Sequence, residues 1–194
     1  MLETQVSLKR NPWDHSVPHE TLFNIVSKVG ESRAKHVEKL HERGEWPRDS
    51  LGIALMVPFA PRSLPAADAL LATIAIGPDG ERYVMNAVAK AAYHHDRGEP
   101  AGWGVYMDLA ASADGDFCYG FSSMVDGMIV GASGQKEMQD ACEAAHAAAT
   151  FLYLLRRERE VWMEGREERP RWFCNIDQPG ETYQAMVAQP AIYP

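Results

Sequence analysis

Residues 126–155, DGMIVGASGQKEMQDACEAAHAAATFLYLL, contain the pattern that decides the fold. The apolar run MIVGA ends at Ser133, and an alanine-rich pattern with helical spacing follows within a few residues. A short apolar run closed by a small-residue turn predicts a buried strand that leads directly into a helix. Gly131 within the run predicts close approach of another backbone, because glycine otherwise weakens a strand. We therefore expect an inner strand of a sheet, covered by the alanine helix.

Two helices and two strands are predicted before this stretch. Apolar residues that recur at spacings of three and four predict the helices, and short apolar runs closed by Pro or Gly predict the strands. The expected order is a helix over 21–43, a strand over 50–57, a strand over 69–76 and a helix over 81–97. The second strand is apolar on both faces, which indicates a central position in the sheet.

Two further strands are predicted before the apolar run. They are expected over 102–110 and 116–125 and are joined by a turn at 112–115, after which Asp126-Gly127 reverses the chain again. Asp-Gly pairs between apolar runs are strong hairpin signals, so these three strands are predicted to form an antiparallel meander.

The last helix is expected from residue 136 to about residue 160. One side is predicted to be buried, and its residues are Met138, Ala141, Cys142, Ala145, Ala148, Ala149, Leu152 and Leu155. The opposite, polar side carries Gln139, Glu143, His146 and Thr150. Because alanine costs little side-chain entropy and lets another element approach closely, this helix is expected to pack on the sheet.

Composition and charge limit the class of protein. The chain has 194 residues, 46% of them apolar and 24% charged, as is usual for a globular protein. Its formal net charge of −8 argues against binding to nucleic acid or to an anionic membrane surface, since both depend on Lys and Arg. Three widely spaced cysteines predict no disulfide framework and no structural zinc site. With no apolar leader segment visible, a cytoplasmic location is expected.

Residues at both ends lie outside the regular pattern. Residues 1–19 are predicted to form an irregular arm over a neighbouring surface, because Trp13 and Val17 are poor residues to expose to water. From Arg156 onward the charges alternate in sign, which is typical of a solvated face. Residues 170–194 are rich in apolar and aromatic residues, and we expect this tail to pack on a second subunit.

No catalytic motif is present. The sequence has no phosphate-binding loop, nucleophile elbow or HExxH pattern, so we assign no catalytic residue and no metal site, and an enzyme is the least favoured class. His36 and His41 are five residues apart and do not share a helix face as zinc ligands would, so both are expected in solvent. His94 and His95 occupy the last turn of a predicted helix. Either the helix dipole favours a cation there, or one of them faces a ligand pocket.

Residues 126–134, DGMIVGASG, are followed by Gln-Asp at 139–140 and an alanine-rich helix, and this arrangement resembles the GlcG/HbpS-like family. The family includes extracellular haem-binding proteins, GlcG-type proteins of unassigned role and the C-terminal half of PduO-type proteins. Residues 85–100 are similar to its middle helix, with the Lys-Ala pair at 90–91. The chain departs from the family at 120–124, where GFSSM stands in place of the usual Gly-Gly-x-Pro segment.

The resemblance implies an α+β fold of the profilin-like α/β sandwich type. Such a fold has one antiparallel sheet of about five strands with helices packed on it. The implied domain covers residues 20–160, with an N-terminal arm over 1–19 and a C-terminal extension over 161–194.

The expected function is a small-molecule or cofactor-binding module that forms a homo-oligomer, and the resemblance implies haem as the ligand. A pocket between sheet and helices would offer an axial histidine nitrogen among apolar side chains. The candidate residues are His94, His95, His146, Tyr119, Phe121 and Met124. Ordinary core packing is the alternative for the Met and aromatic residues. The alternative function is a non-catalytic accessory or scaffold subunit that binds a partner protein through its terminal extensions.

Overall fold

One antiparallel sheet forms the centre of the chain in the computed structural model, which describes residues 1–97, 104–106 and 122–164. Its six strands are β1 (Thr4–Leu8), β2 (Leu51–Met56), β3 (Leu70–Ile76), β4 (Gly104–Tyr106), β5 (Ser122–Val125) and β6 (Met128–Ser133). They lie in the order β1-β3-β2-β6-β5-β4. Within the described ranges the helices are α1 (His19–Glu42), α2 (Ala66–Ala69), α3 (Gly80–Arg97) and α4 (Glu137–Glu164). The predicted α+β class, with helices on one antiparallel sheet, is confirmed.

The most apolar strands occupy the middle of the sheet. Every residue of β2 is buried, and this strand pairs with β3 on one side and with β6 on the other. Ile53 of β2 lies opposite Ile74 of β3 and opposite Ala132 of β6. The inner position predicted for the strand over 69–76 is confirmed, since β3 lies between β1 and β2.

A two-residue turn joins β5 to β6. Val125 lies opposite Met128, and Asp126 and Gly127 between them have positive φ angles of 48° and 74°. Two-residue hairpins favour a turn in which both residues have positive φ, because the twist of that turn matches the twist of the strands. Asp-Gly adopts this conformation readily. The predicted reversal and the meander of β4, β5 and β6 are confirmed. The turn predicted at 112–115 lies outside the described residues.

Alternate residues of the central strands face two hydrophobic cores. Ile53 and Val130 belong to the larger core, which includes residues of α1 and α4, whereas Ala54 belongs to a smaller core with residues of α3. Side chains alternate along a strand, so these cores lie on opposite sides of the sheet. We call these sides the α1/α4 face and the α3 face.

Gly131 lets α3 approach the sheet closely, as a glycine inside a strand predicts. A Cβ atom at this position would overlap the carbonyl oxygen of Ala87 on α3. A Cβ atom at Gly52 on the neighbouring strand would likewise overlap the backbone of Tyr83. The helix against these glycines is therefore α3, and the alanine helix α4 covers the other face of β6.

The buried side of α4 differs from the predicted one. Half of the predicted residues are buried, namely Ala141, Ala148, Leu152 and Leu155. The prediction is wrong for Met138, which is 58% exposed, and for Cys142 and Ala149. Glu143, from the predicted polar side, is fully buried. Burial of the large Phe151 ring in the core rotates α4 about its axis relative to the predicted orientation. The alanines around the helix are small and pack acceptably in either orientation.

The N-terminal arm contributes a strand to the sheet. The prediction of an irregular arm over 1–19 is wrong for Thr4–Leu8, which form β1 and pair with β3 at the edge of the sheet. Trp13 packs against Phe151 with 6.2 Å between the ring centroids, and Val17 is buried. The remainder of the arm thus covers apolar surface, as predicted.

The chain divides after Trp162. Met1–Trp162 form one unit, and Met163–Pro194 form a second, which from residue 165 onward lies outside the described residues. The bounds predicted for the domain and the packing predicted for the C-terminal tail stay predictions. Among the helices that the structure describes, none combines the length and the apolar character needed to cross a membrane.

Candidate metal centre

A buried carboxylate lies between α1 and α4. Glu143 is on α4, and 0% of its side chain is exposed. Its neighbours on α4, Ala144 and Ala147, belong to the hydrophobic core, and Glu143 is buried beside them. A buried charge is costly unless opposite charges or hydrogen bonds compensate it. The partners of Glu143 therefore define what this position can do.

Two side chains of α1 contact one oxygen of this carboxylate. His36 Nδ1 lies 2.7 Å from Glu143 Oε1, and Arg33 Nη1 donates to the same oxygen at 3.3 Å. Arg33 and His36 are three residues apart, so they occupy one face of the helix. A further hydrogen bond, from Arg33 Nη2 to Ser32 Oγ at 3.2 Å, holds the guanidinium in place. Helix α1 thus presents a cation and an imidazole to the same oxygen.

A second histidine reaches the carboxylate from its own helix. His146 is one turn after Glu143 on α4, and its Nδ1 lies 3.8 Å from Glu143 Oε1. The His36 and His146 rings meet edge to face with centroids 6.0 Å apart, and the Trp46 ring lies 5.5 Å from that of His36. Two imidazoles and one carboxylate therefore converge at this point.

The second oxygen of Glu143 has no partner among the residues that the structure describes. Oε2 is buried and forms no hydrogen bond, and in the described part of the chain only Arg10 Nε and Arg33 Nε share this condition among buried side-chain atoms. Buried polar atoms nearly always have a partner, so an unpartnered carboxylate oxygen requires an explanation. A cation bound by Glu143 would provide one.

The three converging side chains fit a divalent metal ion. One ligand atom from each of His36, Glu143 and His146 lies within 4.8 Å of the other two. Ligand atoms around a tetrahedral ion with bonds of about 2.1 Å lie about 3.4 Å apart, so shifts of about 1.5 Å or less complete the site. His146 is 58% exposed and has room for such a shift, whereas the core holds Glu143. Two imidazoles and a carboxylate favour Zn²⁺, Fe²⁺, Co²⁺ or Ni²⁺ over Mg²⁺ and Ca²⁺.

An ordinary buried ion pair explains only part of this arrangement. The pair of Arg33 and Glu143 compensates the buried charge and accounts for one contact of Oε1. It accounts neither for the unpartnered Oε2 nor for two histidine rings at the same carboxylate. A metal ion held by the carboxylate and both rings would account for both.

The histidines predicted to bind a cofactor do not converge. His94 is buried on α3, and its Nδ1 lies 2.7 Å from Ser122 Oγ of β5. His95 is also buried, and its Nε2 donates to the carbonyl of Leu64 at 2.9 Å. These contacts place both on the α3 face, while His146 lies beside the carboxylate on the α1/α4 face. The sheet separates His146 from the other two.

Burial determines the charge of His94. Desolvation, followed by the neighbouring His95, lowers the pKa of His94 from 6.5 to about 4. The imidazole is therefore neutral at pH 7, which is the form that binds a metal. Its Nδ1 is already in contact with Ser122.

The predicted apolar wall is described only in part. Met124 is half-buried on β5, and it is two residues after Ser122 and therefore on the α3 face. Tyr119 and Phe121 lie outside the described residues. The pocket expected around these three side chains stays a prediction.

A second buried acid on α4 has a complete set of bonds. Lys90 Nζ donates to Asp140 Oδ2 at 3.0 Å and to the carbonyl of Ala132 at 2.8 Å, and the backbone N–H of Gln135 donates to Asp140 Oδ1 at 2.8 Å. Burial raises the pKa of Asp140, and Lys90 and the hydrogen bonds oppose this rise. The pair links α3, the end of β6 and the start of α4, so its role is structural. It also joins the Lys and Asp on which the family resemblance depends.

The site depends on two residues that the sequence did not single out. The expectation that His36 lies in solvent is wrong, because His36 is only 35% exposed and contacts a buried carboxylate. Its position carried a signal, since residues 29, 33, 36 and 40 follow spacings of four and three along the apolar stripe of α1. For Glu143 the signal was the spacing of three to His146. Neither signal identifies the partner helix. His41 is exposed, as expected.

Comparisons of the chain with protein-family models, with curated proteins and with solved structures found no match. The resemblance to the GlcG/HbpS-like family stays a prediction, and the function has to be argued from the residues of the chain itself.

Proposed function

We propose that this chain is a ligand-binding module whose ligand on the α1/α4 face is a divalent transition-metal ion held by His36, Glu143 and His146. The observation that carries the proposal is the buried Oε2 of Glu143, which has no partner among the described residues. An ion bound by the carboxylate would compensate its buried charge and would use both imidazoles, whose Nδ1 atoms lie near Oε1.

The surroundings of the three ligands support this role. Arg33 donates to Oε1 of Glu143, so it acts as a positioning residue for the carboxylate. The Trp46 ring packs edge to face against His36 and limits its rotation. Three protein ligands leave one position of a tetrahedral ion open, as in zinc sites that bind a further ligand.

Titration with Co²⁺ and Zn²⁺ tests the proposal. We expect one ion per chain and a visible spectrum of the Co²⁺-loaded protein that is stronger than that of aqueous Co²⁺, as tetrahedral coordination requires. Zn²⁺ should displace the bound Co²⁺, and Mg²⁺ should not, because imidazole ligands disfavour Mg²⁺.

Substitutions distinguish this site from other histidines of the chain. Glu143→Gln and His36→Ala are each expected to weaken Co²⁺ binding by at least about tenfold, since each removes a ligand. His41→Ala is the matched control, because His41 is exposed on the same helix and lies outside the cluster. Equal Co²⁺ affinity of the wild type and Glu143→Gln would contradict the proposal.

Haem on the α3 face is the second candidate, and it rests on His94. This imidazole is buried and, with its pKa lowered to about 4, neutral at pH 7, as an axial ligand has to be. Haemin titration tests the candidate by the Soret band. A shift that His94→Ala abolishes would support haem binding, and an unshifted band in the wild type would exclude it.

Assembly and location are further parts of the proposal. We infer a homo-oligomer, or an accessory subunit that binds a partner protein, from the apolar and aromatic residues over 170–194. Light scattering of the full chain and of a variant without these residues is the test, and a monomer in both cases would remove the proposal. The few, unpatterned cysteines favour a cytoplasmic location.

A further inference from the structure

A groove runs along the outer side of α1 beside the proposed metal site. Its volume is about 480 Å³, and it is lined by Lys28, Glu31, Ser32, Lys35, His36 and Lys39. His36 belongs both to the wall of this groove and to the cluster of metal ligands. An ion bound by His36 would therefore lie at the edge of the groove.

The groove is cationic although the chain is acidic. It carries three lysines and one glutamate, a formal charge of +2, whereas the whole chain has a net charge of −8. Within the residues that the structure describes, none of the three lysines takes part in an ion pair. Because they lie along one helix, their charges repel one another. A bound anion would compensate them.

Hydrogen bonds connect the groove to the metal ligands. Ser32 lines the groove and accepts from Arg33 Nη2, and Arg33 Nη1 donates in turn to Glu143 Oε1. The groove and the carboxylate site therefore share His36 and are also joined through Ser32 and Arg33. The groove on α1 is therefore continuous with the carboxylate site between α1 and α4.

We propose that the open position of the metal ion binds an oxyanion, namely the phosphate or carboxylate group of a small molecule, and that the groove lysines bind its remaining negative charge. The inference rests on the metal site proposed above and names the ligand class of that site. The groove is open along α1 and, with a volume of about 480 Å³, has room for a small anion at the surface of the helix. A neutral ligand would leave the lysine charges uncompensated.

Anion titration of the Co²⁺-loaded protein tests this inference. The probes are inorganic phosphate and acetate, which separate the two head groups, and the readouts are the visible Co²⁺ spectrum and calorimetry. We expect one of the two anions to change the spectrum and to bind the loaded protein about tenfold more tightly than the metal-free protein, a usual size for coupled sites. In Lys35→Gln/Lys39→Gln this anion should bind about fivefold more weakly at unchanged Co²⁺ affinity, because two surface charges are lost. Lys9→Gln, at an exposed lysine outside the groove, is the control.

Each other outcome overturns a defined part of the argument. Co²⁺ binding with a spectrum that neither anion changes would overturn the oxyanion inference and leave the metal site standing. Anion binding that is equal without metal, or equal in the double lysine variant, would also overturn the inference. Failure of the wild type to bind Co²⁺ would overturn the metal site, and the oxyanion inference with it.

Discussion

Asp140 and Glu143 are buried acids one turn apart on α4, and their partners differ. Both oxygens of Asp140 accept hydrogen bonds, one from Lys90 and the other from the backbone N–H of Gln135. Glu143 has two side chains of α1 on Oε1 and, within the described part of the chain, no partner on Oε2. The packing of the fold is sufficient to explain the carboxylate whose bonds are complete, whereas the one with an unpartnered oxygen is the one to which we assign the proposed metal ion.

Removal of Lys90, the cationic partner of Asp140, is expected to have the largest effect on stability. In Lys90→Met the Asp140 charge stays buried without its ion-pair partner, and the free energy of unfolding should fall by about 3–5 kcal/mol. Urea denaturation measures this loss. The double variant Lys90→Met/Asp140→Leu should recover part of it, because no charge then remains buried. A loss below about 1 kcal/mol, as for an exposed ion pair, would contradict the structural role of Lys90.

Glu143→Gln is the matched change at the second buried acid. In the absence of metal it should cost about 1.5–3 kcal/mol, the usual value for hydrogen bonds to a charged group, because Gln keeps an acceptor oxygen for Arg33 and His36 but loses the negative charge. If Glu143→Gln lowered the free energy of unfolding as much as Lys90→Met does, the contrast between the two acids would be lost.

His94 is a buried group on the α3 face that the fold keeps neutral. Its pKa is lowered from 6.5 to about 4, so between these values the unfolded chain binds a proton that the folded chain does not. The contribution of His94 to stability is therefore complete above pH 6.5, declines as the pH falls towards 4 and then levels off. The total decline is about 3 kcal/mol.

Denaturation at pH 7.5 and pH 4.5 measures this dependence on His94. The wild type should lose more stability between the two values than His94→Gln, because the variant has no titratable group at this position. NMR titration of the histidine ring protons checks the pKa itself. An identical pH dependence in the two proteins would show that His94 is not held neutral.

Zn²⁺ should stabilise the folded chain only through the proposed site of His36, Glu143 and His146. At a free Zn²⁺ concentration of about 100 times the dissociation constant, the free energy of unfolding should rise by about 2.7 kcal/mol. The rise should fall to about 1.4 kcal/mol or less in His36→Ala, as a loss of affinity of at least about tenfold requires, and stay intact in His41→Ala. Thermal unfolding with and without Zn²⁺ measures it. Equal stabilisation of both variants would mean that the metal binds elsewhere.

The sequence was sufficient to predict most of the sheet because local signals define it. The run MIVGA, the Asp126-Gly127 turn and the apolar strand over 69–76 each carry their structure within a few residues. The strand Thr4–Leu8 was not predicted, because its short pattern acquires meaning only beside β3. The buried side of α4 was predicted only in part, because it follows from the burial of the Phe151 ring, whereas the alanines are small enough to lie on either side of the helix.

The candidate site could not be predicted in the same way. His36 and Glu143 are 107 residues apart, and only the packing of α1 beside α4 brings them together. The burial of Glu143 follows from the rotation of α4, which alanine positions do not specify. By contrast, His94 and His95 were conspicuous in the sequence, yet each is bonded within the α3 face.

The close packing of α3 on the sheet gives a smaller test of how the two faces differ. Gly131→Ala places a Cβ on the carbonyl oxygen of Ala87, and since backbone cannot move aside as a side chain can, the free energy of unfolding should fall by about 1–3 kcal/mol. Gly30→Ala on α1 is the matched change on the other face. Its Cβ would lie 3.0 Å from Ile74 Cγ2, a contact that a shift of a few tenths of an ångström relieves, and alanine favours the helix by up to about 1 kcal/mol, which offsets the cost of that shift. Urea denaturation should therefore show little or no loss for Gly30→Ala, and equal losses in both variants would mean that backbone contact does not distinguish the α3 face.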